Sequence, residues 1–280
     1  MTSTASFGII GYPLGHSLSP ALHNWVYRKI GLAAVYQAWP TPPEELEAFI
    51  RSLQGSPVRG VSVTIPHKQA IIKYLDELTP FAAQVGAVNT LFWEGNALCG
   101  ANTDAPGFLA PLLERKFHPQ TVLLLGAGGA ARAVLAALCS LSPCPRIFIA
   151  ARNPDQAQTL SADFKAQAIP WTERAALQAD LAVNATPMGM SGGPAPNASP
   201  LVPEDFRALG RENCLACDLV YNPLQTPFLQ AAQSAGWQVQ DGLDMLIAQA
   251  LEQIRLWSGV KELPGRPQIR QMLVQAGLLT

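Results

Sequence analysis

Two charged residues follow predicted β-structure and could share a proton with an alcohol. Lys68 comes directly after the run VSVTIPH, and Asp104 ends the segment GANTD. A lysine and a carboxylate that face one hydroxyl can exchange its proton as a hydride leaves, and the ammonium also stabilises the developing alkoxide. Their spacing leaves open whether the two side chains meet, because either residue alone could form a surface ion pair.

A glycine-rich turn is the second pattern that points to chemistry. It follows the apolar run TVLLL, opens a stretch with helical spacing, and comprises Gly126, Ala127, Gly128, Gly129, Ala130 and Ala131. Backbone N–H groups at such a helix start bind a pyrophosphate, and the small last residue lets helix and strand approach closely. The turn predicts dinucleotide binding, although glycine-rich turns also occur for structural reasons alone.

The end of the next predicted strand indicates which dinucleotide is bound. A site for NAD usually carries a carboxylate there, which accepts hydrogen bonds from the ribose 2′-hydroxyl. This chain has Arg152 and Asn153 instead, and a guanidinium attracts a 2′-phosphate. The sequence therefore predicts NADP. Asp155 would contest this prediction if it turned inward, and Arg152 could also be a solvated surface residue.

The cysteines and histidines give no metal-binding pattern, so we expect no bound metal. Cys214 and Cys217 form one C-x-x-C in an apolar run without a second pair or a nearby histidine. We expect them to be reduced thiols of a buried strand. His67 lies beside Lys68, but it is more typical of a structural residue than of a proton donor.

Composition limits the class of partner. The chain of 280 residues is 49% hydrophobic and 14% charged, which suits a compact core and about two domains. A formal net charge of −1 offers no field that attracts nucleic acid or an anionic membrane. The first residues lack the features of a secretory signal, and no apolar run reaches the ~18 residues of a spanning helix. We expect a cytoplasmic protein that binds small molecules, but neither nucleic acid nor membranes.

Short apolar runs alternate with stretches of helical spacing, which predicts an α/β fold. Ser19 and Pro20 predict the start of a helix with Ser19 as its N-cap, and Gly31 predicts its end. In the first part of the chain, strands are predicted at 7–10, 34–39 and 58–64, followed by a hairpin at 88–101.

A second series of strands begins after Asp104 and predicts a doubly wound nucleotide-binding sheet of the Rossmann type. The Gly/Pro/Ser-rich stretch 189–203 is predicted to be a mobile loop over the cofactor side. Helices near 243–258 and 266–276 are predicted to pack back onto the first domain. The strands of this second series are predicted at 121–125, 147–151, 180–186 and 215–221.

Eight segments in a fixed order connect the chain with a known family. They are GYPLGHSLSP at 11–20, VSVTIPHK at 61–68, GAVNTL at 86–91, GANTD at 100–104, GAGGAAR at 126–132, NATPMGM at 184–190, DLVYNPLQTP at 218–227 and GLDMLIAQA at 242–250. In this order they resemble the successive signatures of shikimate dehydrogenases across nearly the whole chain.

The resemblance implies reversible reduction of 3-dehydroshikimate to shikimate with NADPH, in the chorismate pathway of aromatic amino-acid biosynthesis. It implies that Lys68 and Asp104 transfer the proton. It also implies a substrate-binding set in which the carboxylate meets Ser17, Ser19 and Tyr221 and the ring hydroxyls meet Thr64, Asn89 and Gln249. Beyond the glycine-rich turn, the predicted cofactor contacts are Arg152, Asn153, Thr186, Met188, Gly242 and Met245.

The resemblance further implies a discontinuous substrate-binding domain at 1–104 and 240–280. An NADP-binding Rossmann-like domain at 105–239 is then inserted between these parts, with the catalytic cleft between the two domains. We expect the domains to close on substrate and cofactor, which excludes water from the hydride transfer. The oligomeric state is expected to be a monomer or a homodimer.

Three departures from the family pattern stand out. Ser62 replaces an asparagine that many members carry, Ala105 replaces a common glycine, and Gln156 lies where another basic residue is frequent. The last departure weakens the prediction of NADP preference. Two alternatives therefore stay open: a quinate/shikimate dehydrogenase that uses NAD, and a non-catalytic dinucleotide sensor that retains the fold.

Overall fold

The computed structural model describes residues 4–15, 17–210 and 212–279. The chain divides into two compact units, one formed by Met1–Gly107 with Ile247–Leu278 and the other by Phe108–Leu246 with Leu279–Thr280. Among the described residues, each unit contains one β-sheet. None of the helices in the described ranges combines the length and apolar character needed to cross a membrane.

The elements follow one another in α/β order. The strands are β1 (Ala5–Gly11), β2 (Ala34–Pro40), β3 (Val58–Val63), β4 (Glu77–Leu78), β5 (Thr90–Glu94), β6 (Ala97–Ala101), β7 (Thr121–Leu125), β8 (Arg146–Ala150), β9 (Gln167–Ile169), β10 (Leu181–Asn184), β11 (Leu215–Asp218) and β12 (Gln238–Gln240). The helices are α1 (Ser19–Lys29), α2 (Leu46–Leu53), α3 (Pro80–Val85), α4 (Asp104–Glu114), α5 (Gly129–Cys139), α6 (Pro154–Phe164), α7 (Pro203–Leu209), α8 (Pro227–Ser234), α9 (Leu243–Ser258) and α10 (Arg266–Gln275).

The sheet of the first unit is mixed, with strand order β2-β1-β3-β5-β6-β4 among the described residues. Strands β2, β1 and β3 run parallel, whereas β5 is antiparallel to both β3 and β6. The carboxyl ends of β1, β3 and β6 and the amino end of β5 therefore lie at one edge of the sheet. The loops at this edge, with the start of α1, carry four of the six predicted substrate-binding residues, namely Ser17, Ser19, Thr64 and Asn89.

The carboxyl-terminal part of α9 packs on this sheet through Trp257. Its ring stacks on Phe7 at a centroid distance of 5.1 Å, and its indole N–H donates to the main-chain oxygen of Leu91 at 2.9 Å. A Cβ atom at Gly60 would lie only 2.3 Å from the Trp257 ring. Glycine at position 60 thus provides the space in which helix and sheet meet.

The sheet of the second unit is fully parallel, with order β9-β8-β7-β10-β11-β12 in the described part of the chain. Numbered within the unit, this is the 3-2-1-4-5-6 order of the doubly wound dinucleotide-binding fold. Every residue of β7 is buried. Because a parallel sheet is covered on both faces, its central strand reads as a continuous apolar run, here TVLLL.

Two strands of this sheet are shorter than predicted, and both end at a polar side chain. β10 stops at Asn184, whose Oδ1 accepts a hydrogen bond from the Thr186 main-chain N–H at 3.0 Å. β11 stops at Asp218, whose Oδ1 accepts from the Val220 N–H at 2.9 Å. Such bonds to the main chain two residues further on turn the chain away from the strand.

The start of α1 also differs from the prediction. Ser19 is the first helical residue, and the N-cap position is Leu18, which forms no side-chain cap. The hydroxyl of Ser19 is therefore not required as a cap. The predicted end of α1 is confirmed, since Gly31 follows the helix with a φ of +67°. The stretch 189–203 contains neither helix nor strand before α7, and its mobility stays a prediction.

A pH dependence of stability follows from His23 in the core of the first unit. Burial lowers the pKa of His23 to about 4, against the opposing effect of hydrogen bonds that include Nδ1–H to the Ser19 main-chain oxygen. The unfolded chain takes up this proton near pH 6.5. The contribution of the neutral, buried His23 to the free energy of unfolding is thus complete above pH 6.5. It is lost as the pH falls from there through the folded-state pKa.

We expect the wild-type protein to lose about 2 kcal/mol more free energy of unfolding between pH 7.5 and 5 than a His23→Phe variant. Phenylalanine keeps the stacking on Tyr36, where the ring centroids lie 4.0 Å apart, but does not titrate. Urea unfolding of both proteins at the two pH values measures the difference. Equal pH dependence of the two proteins would contradict the assignment.

Candidate active site

Lys68 and Asp104 meet in the first unit. The Lys68 Nζ lies 2.7 Å from Asp104 Oδ2, and the two side chains are only 14% and 7% exposed. Lys68 follows β3, and its main-chain oxygen accepts from the Val88 N–H at 2.7 Å. Asp104 is the first residue of α4. The pairing that the sequence left open is formed because both loops leave the same edge of the sheet.

Amide and hydroxyl groups surround the carboxylate of Asp104. Asn89 Nδ2 donates to Asp104 Oδ1 and to Thr103 Oγ1, both at 2.9 Å, and lies 3.3 Å from Gln249 Oε1. Gln249 reaches this group from α9 because the helices approach closely at Gly107, where a Cβ atom would lie 2.8 Å from that of Gln249. The structure thus brings Lys68, Asp104, Asn89 and Gln249 together.

Thr64 and Ser17 lie in loops at the same edge, and Ser19 is the first residue of α1, which follows the loop after β1. Thr64 follows β3 directly and is half-buried, and its N–H donates to the main-chain oxygen of Ile10 at 2.9 Å. Ser17 Oγ accepts from the Ser19 N–H at 3.4 Å, and Ser19 itself is buried. His16, within the predicted motif at 11–20, lies outside the described residues.

The predicted cofactor residues share one edge of the second sheet. Because β7, β8, β10, β11 and β12 run parallel, the residues that follow them lie at the same edge, which is where open α/β sheets bind ligands. In chain order, the predicted cofactor residues that follow these strands include Gly126, Arg152, Thr186 and Gly242, and the predicted substrate residue Tyr221 follows β11.

The glycine-rich turn has the geometry of a phosphate-binding loop. Gly126 has a φ of +110°, and a Cβ atom there would lie 3.0 Å from the main-chain oxygen of Ala185. Gly128 is the N-cap of α5 and provides no side-chain cap, and a Cβ atom there would meet no neighbour within 4 Å. Ala127, Gly129 and Ala130 are half-buried. The start of α5 therefore has open space beside its N-cap, and a helix start without a side-chain cap is where an anion can bind.

Arg152 and Asn153 occupy the loop after β8. Arg152 is exposed, as a residue that meets a ligand phosphate must be. Asn153 is the N-cap of α6, and its Oδ1 accepts from the N–H groups of Asp155 and Gln156 at 3.0 and 3.3 Å. The Asn153 oxygen therefore has a structural partner already. Asp155 is exposed in the first turn of α6.

A buried polar group supports the loop that carries Thr186 and Met188. Asn184 Nδ2 donates to Asp218 Oδ1 at 3.0 Å and to the Met188 main-chain oxygen at 3.2 Å, and Asn184 Oδ1 accepts from the Thr186 hydroxyl at 2.6 Å. Thr226 Oγ1 donates to Asp218 Oδ2 at 2.6 Å. Burial raises the pKa of Asp218 to about 7, although its hydrogen-bond donors oppose the shift.

Three further predicted residues lie in the second unit. Tyr221 is half-buried in the loop after β11. Gly242 is buried, and a Cβ atom there would lie 2.4 Å from the main-chain oxygen of Leu219, so close packing alone requires glycine. Met245 is half-buried in the first turn of α9. Ser17 and Ser19 belong to the first unit, and their grouping with Tyr221 stays a prediction.

The structural interpretation of the C-x-x-C motif fits the structure. Cys214 and Cys217 are buried, and desolvation raises the pKa of Cys217 to about 12. His67 is buried too, with its Nε2 2.7 Å from the Thr41 main-chain oxygen, which is a structural contact. Elsewhere, potential ligand atoms of Glu77, Glu94 and Cys99 lie within 4.8 Å of one another, and both glutamates are exposed.

Several residues that support these sites were not predicted from the sequence. Thr103, Asn184 and Asp218 are buried polar residues at strand ends, and Thr90 and Gln253 lie beneath Asn89. For Asn184 and Asp218 the available signal was a polar residue within an otherwise apolar run, as in DLAVNAT and LACDLVY. Buried polar groups require partners, so such residues mark hydrogen-bond networks.

One unit has a parallel sheet in Rossmann order with a glycine-rich turn, and the other has a lysine–carboxylate pair among hydroxyls and amides. These features together define a nucleotide-dependent dehydrogenase with two α/β units. Residues 9–91 match the family model described as shikimate dehydrogenase substrate binding domain. The chain is 51% identical to the shikimate dehydrogenase (NADP(+)) of Oleidesulfovibrio alaskensis, with 92% of this chain and 91% of the relative covered. Identity to the enzyme of the same name from Maridesulfovibrio salexigens is 46%, with 91% and 92% covered.

Solved structures agree with this similarity. Shikimate 5-dehydrogenase from Thermus thermophilus, in complex with NADP(H) and shikimate, superposes with a TM-score of 0.84 at 39% identity, covering 97% of this chain and 99% of that one. The Listeria monocytogenes enzyme, in complex with shikimate and NAD, gives 0.82 at 29% identity, with 98% and 97% covered. The chain belongs to the shikimate dehydrogenase family.

The two glycines of the turn predict different effects of alanine. Gly126→Ala is strained by its positive φ and its contact with Ala185, so we expect a loss of about 1 kcal/mol or more in the free energy of unfolding. Gly128→Ala meets open space, so stability should be unchanged while the methyl group obstructs the approach of a pyrophosphate. Thermal unfolding and fluorescence titration with NADP⁺ measure the two effects. Unchanged NADP⁺ affinity in Gly128→Ala would refute the assigned site.

Proposed function

We propose that the chain is an NADP-dependent shikimate dehydrogenase, which reversibly reduces 3-dehydroshikimate to shikimate in aromatic amino-acid biosynthesis. The observation that carries this proposal is the ion pair of Lys68 and Asp104, which is little exposed. Asn89 donates to Asp104 and also lies beside Gln249. Such an arrangement can bind an alcohol and accept its proton. The names of the relatives support the same activity and cofactor.

The proposed reaction takes place at C3 of the ring, which exchanges a hydride, and at its oxygen, which exchanges a proton. In the oxidative direction, the hydrogen on C3 leaves as a hydride to the nicotinamide, and the hydroxyl proton passes to the group formed by Lys68 and Asp104. In the reductive direction, the same group returns a proton to the oxygen as the hydride arrives. The ammonium of Lys68 stabilises the negative charge that develops on that oxygen during either step.

Substrate recognition is assigned to residues that can both donate and accept hydrogen bonds. Thr64, Asn89 and Gln249 would bind ring hydroxyls, whereas Ser17 and Ser19, with Tyr221, would bind the carboxylate. A site built from hydroxyls and amides discriminates against analogues that lack a hydroxyl, because its own polar groups are then left without partners.

The residues of the second unit fit a phosphorylated dinucleotide. The start of α5, which the Gly128 N-cap leaves without a side-chain cap, suits the pyrophosphate, and the exposed Arg152 suits the 2′-phosphate. Thr186, Met188, Gly242 and Met245 are proposed to contact the remainder of the cofactor, with Asn153 acting mainly as the cap of α6. A cytoplasmic location and a monomeric or homodimeric state are part of the proposal.

A steady-state assay tests the proposal directly. We expect the reduction of NADP⁺ in the presence of shikimate, with kcat/KM higher for NADP⁺ than for NAD⁺ and higher for shikimate than for quinate. Absorbance at the reduced-nicotinamide band reports the rate for all four pairs. Equal or better oxidation of quinate with NAD⁺ would replace the proposal by the quinate/shikimate alternative, and no turnover with any pair would favour the non-catalytic sensor.

Replacement of Lys68 tests the proton-transfer role. Lys68→Ala should lower kcat by about 10² to 10⁴-fold with only a modest rise in the KM for shikimate, because the lost interaction develops in the transition state. Lys73→Ala is the matched control, since Lys73 is an exposed lysine of the following turn. Wild-type turnover in Lys68→Ala, or an equal loss in Lys73→Ala, would refute the role.

A further inference from the structure

A buried series of hydrogen bonds lies beneath the proposed catalytic pair in the first unit. The Tyr36 hydroxyl donates to Ser62 Oγ at 2.6 Å, and Ser62 Oγ donates to Gln253 Oε1 at 2.9 Å. Gln253 Nε2 donates to Thr90 Oγ1 at 3.0 Å, and Thr90 Oγ1 donates to Asn89 Oδ1 at 2.8 Å. All five residues are at most 5% exposed. The series ends at the amide that contacts Asp104.

Two main-chain groups fix the direction of both amides. Gln253 Nε2 also donates to the main-chain oxygen of Asn89 at 3.1 Å, and a carbonyl oxygen can only accept. Gln253 must therefore turn its own oxygen towards Ser62. At the other end, the Thr103 main-chain N–H, which can only donate, reaches Asn89 Oδ1 at 2.8 Å. The NH₂ group of Asn89 consequently faces Asp104.

The hydroxyl protons follow from these amide orientations. The Ser62 proton goes to Gln253 Oε1, so the Ser62 oxygen is left to accept from Tyr36. Burial raises the pKa of Tyr36 well above its ordinary value, which keeps the phenol protonated as a donor. Thr90 accepts from Gln253 and is thereby set to donate to Asn89. Each hydrogen bond in the series thus supports the next one.

We propose that Gln253 is a positioning residue of the dehydrogenase site, which holds Asn89 so that its amide N–H groups orient Asp104 beside Lys68. The inference rests on the proposed function. Gln253 reaches the site through its hydrogen bonds to Asn89 and Thr90. It projects from the same face of α9 as Gln249, one turn further along the helix. Gln249 then contacts the site directly, whereas Gln253 supports it through Asn89 and Thr90.

Loss of the Gln253 amide would release two constraints at once. The main-chain oxygen of Asn89 would lose this buried donor, and the Thr90 hydroxyl could turn to its alternative partner, Thr103 Oγ1, at 3.3 Å. Asn89 Oδ1 would then lose one of its two close donors. A small displacement of Asn89 moves the carboxylate of the proton-transfer pair, and displacements of this kind reduce kcat strongly.

Position 62 offers an independent test, because its side chain could supply the amide instead. An asparagine there would extend beyond the present Ser62 oxygen into the 2.9 Å gap that separates it from Gln253 Oε1. Ser62→Asn should therefore clash with Gln253, whereas Gln253→Ala should leave the network without its amide. In the double variant, the asparagine at position 62 of β3 would place its amide in the space that the Gln253 side chain occupies in the wild type.

The experiment compares these variants in the shikimate assay. We expect Gln253→Met, which keeps the volume of the side chain, to lower kcat by about tenfold to a hundredfold with an unchanged KM for NADP⁺. The double variant Ser62→Asn/Gln253→Ala should have a higher kcat than either single variant. Trp257→Phe is the control on the same helix, because it removes the part-buried hydrogen bond to Leu91, leaves every hydrogen bond of the series in place and keeps an aromatic ring beside Tyr36. Its kcat should stay within about twofold of wild type.

Two results in this assay would overturn the inference while the proposed function stands: wild-type kcat in Gln253→Met, or an equal loss in Trp257→Phe. If the wild-type protein has no shikimate activity, the proposed function fails instead, and crystal structures decide the positioning role. We expect the distance from Asn89 Nδ2 to Asp104 Oδ1, now 2.9 Å, to lengthen in Gln253→Met. An unchanged distance would contradict the role.

Discussion

The ion pair between Lys68 and Asp104 is the interaction on which the site depends. Two charges that are this little exposed are costly to desolvate, and each is tolerated because the other neutralises it. The surroundings must therefore hold them together without removing them from reach of a substrate. Asn89 meets this requirement by donating to the Asp104 oxygen that Lys68 does not use.

Sheet topology explains why these groups can meet at all. Lys68 and Asp104 are separated by the hairpin of β5 and β6, and the reversal of chain direction in β5 returns the end of β6 to the edge at which β3 ends. The second unit uses a different route to the same result. Its strands all run parallel, so each crossover returns the chain to the opposite end and each strand delivers its following loop to one edge.

The sequence predicted those parts of the fold in which local signals are strong. The run TVLLL, the hairpin turn at Gly95 and the amphipathic helix α9 each carry their own pattern, and the structure contains all three. The strands β4, β9 and β12 could not be predicted in this way. They are two or three residues long and exist through pairing with strands distant in sequence. Long-range pairing leaves no local signature.

The same distinction applies to the site. The residue types of Lys68, Asp104 and the glycine-rich turn indicated chemistry, but their meeting depended on strand register, which sequence spacing does not reveal. Gln253 gave no signal, since a glutamine on an amphipathic helix is usually exposed, and yet only 1% of it is accessible. Its proposed role arises from contacts with β3 and β5 that form only in the folded chain.

A crystal structure of the complex with NADP⁺ and shikimate would show whether Lys68 and Asp104 meet the reacting alcohol. We expect the oxygen on C3 of shikimate to lie within hydrogen-bonding distance of both Lys68 Nζ and an Asp104 carboxylate oxygen, with the C3 hydrogen directed at the nicotinamide. A complex in which that oxygen contacts neither group, while Lys68 and Asp104 remain bonded only to each other, would contradict this expectation.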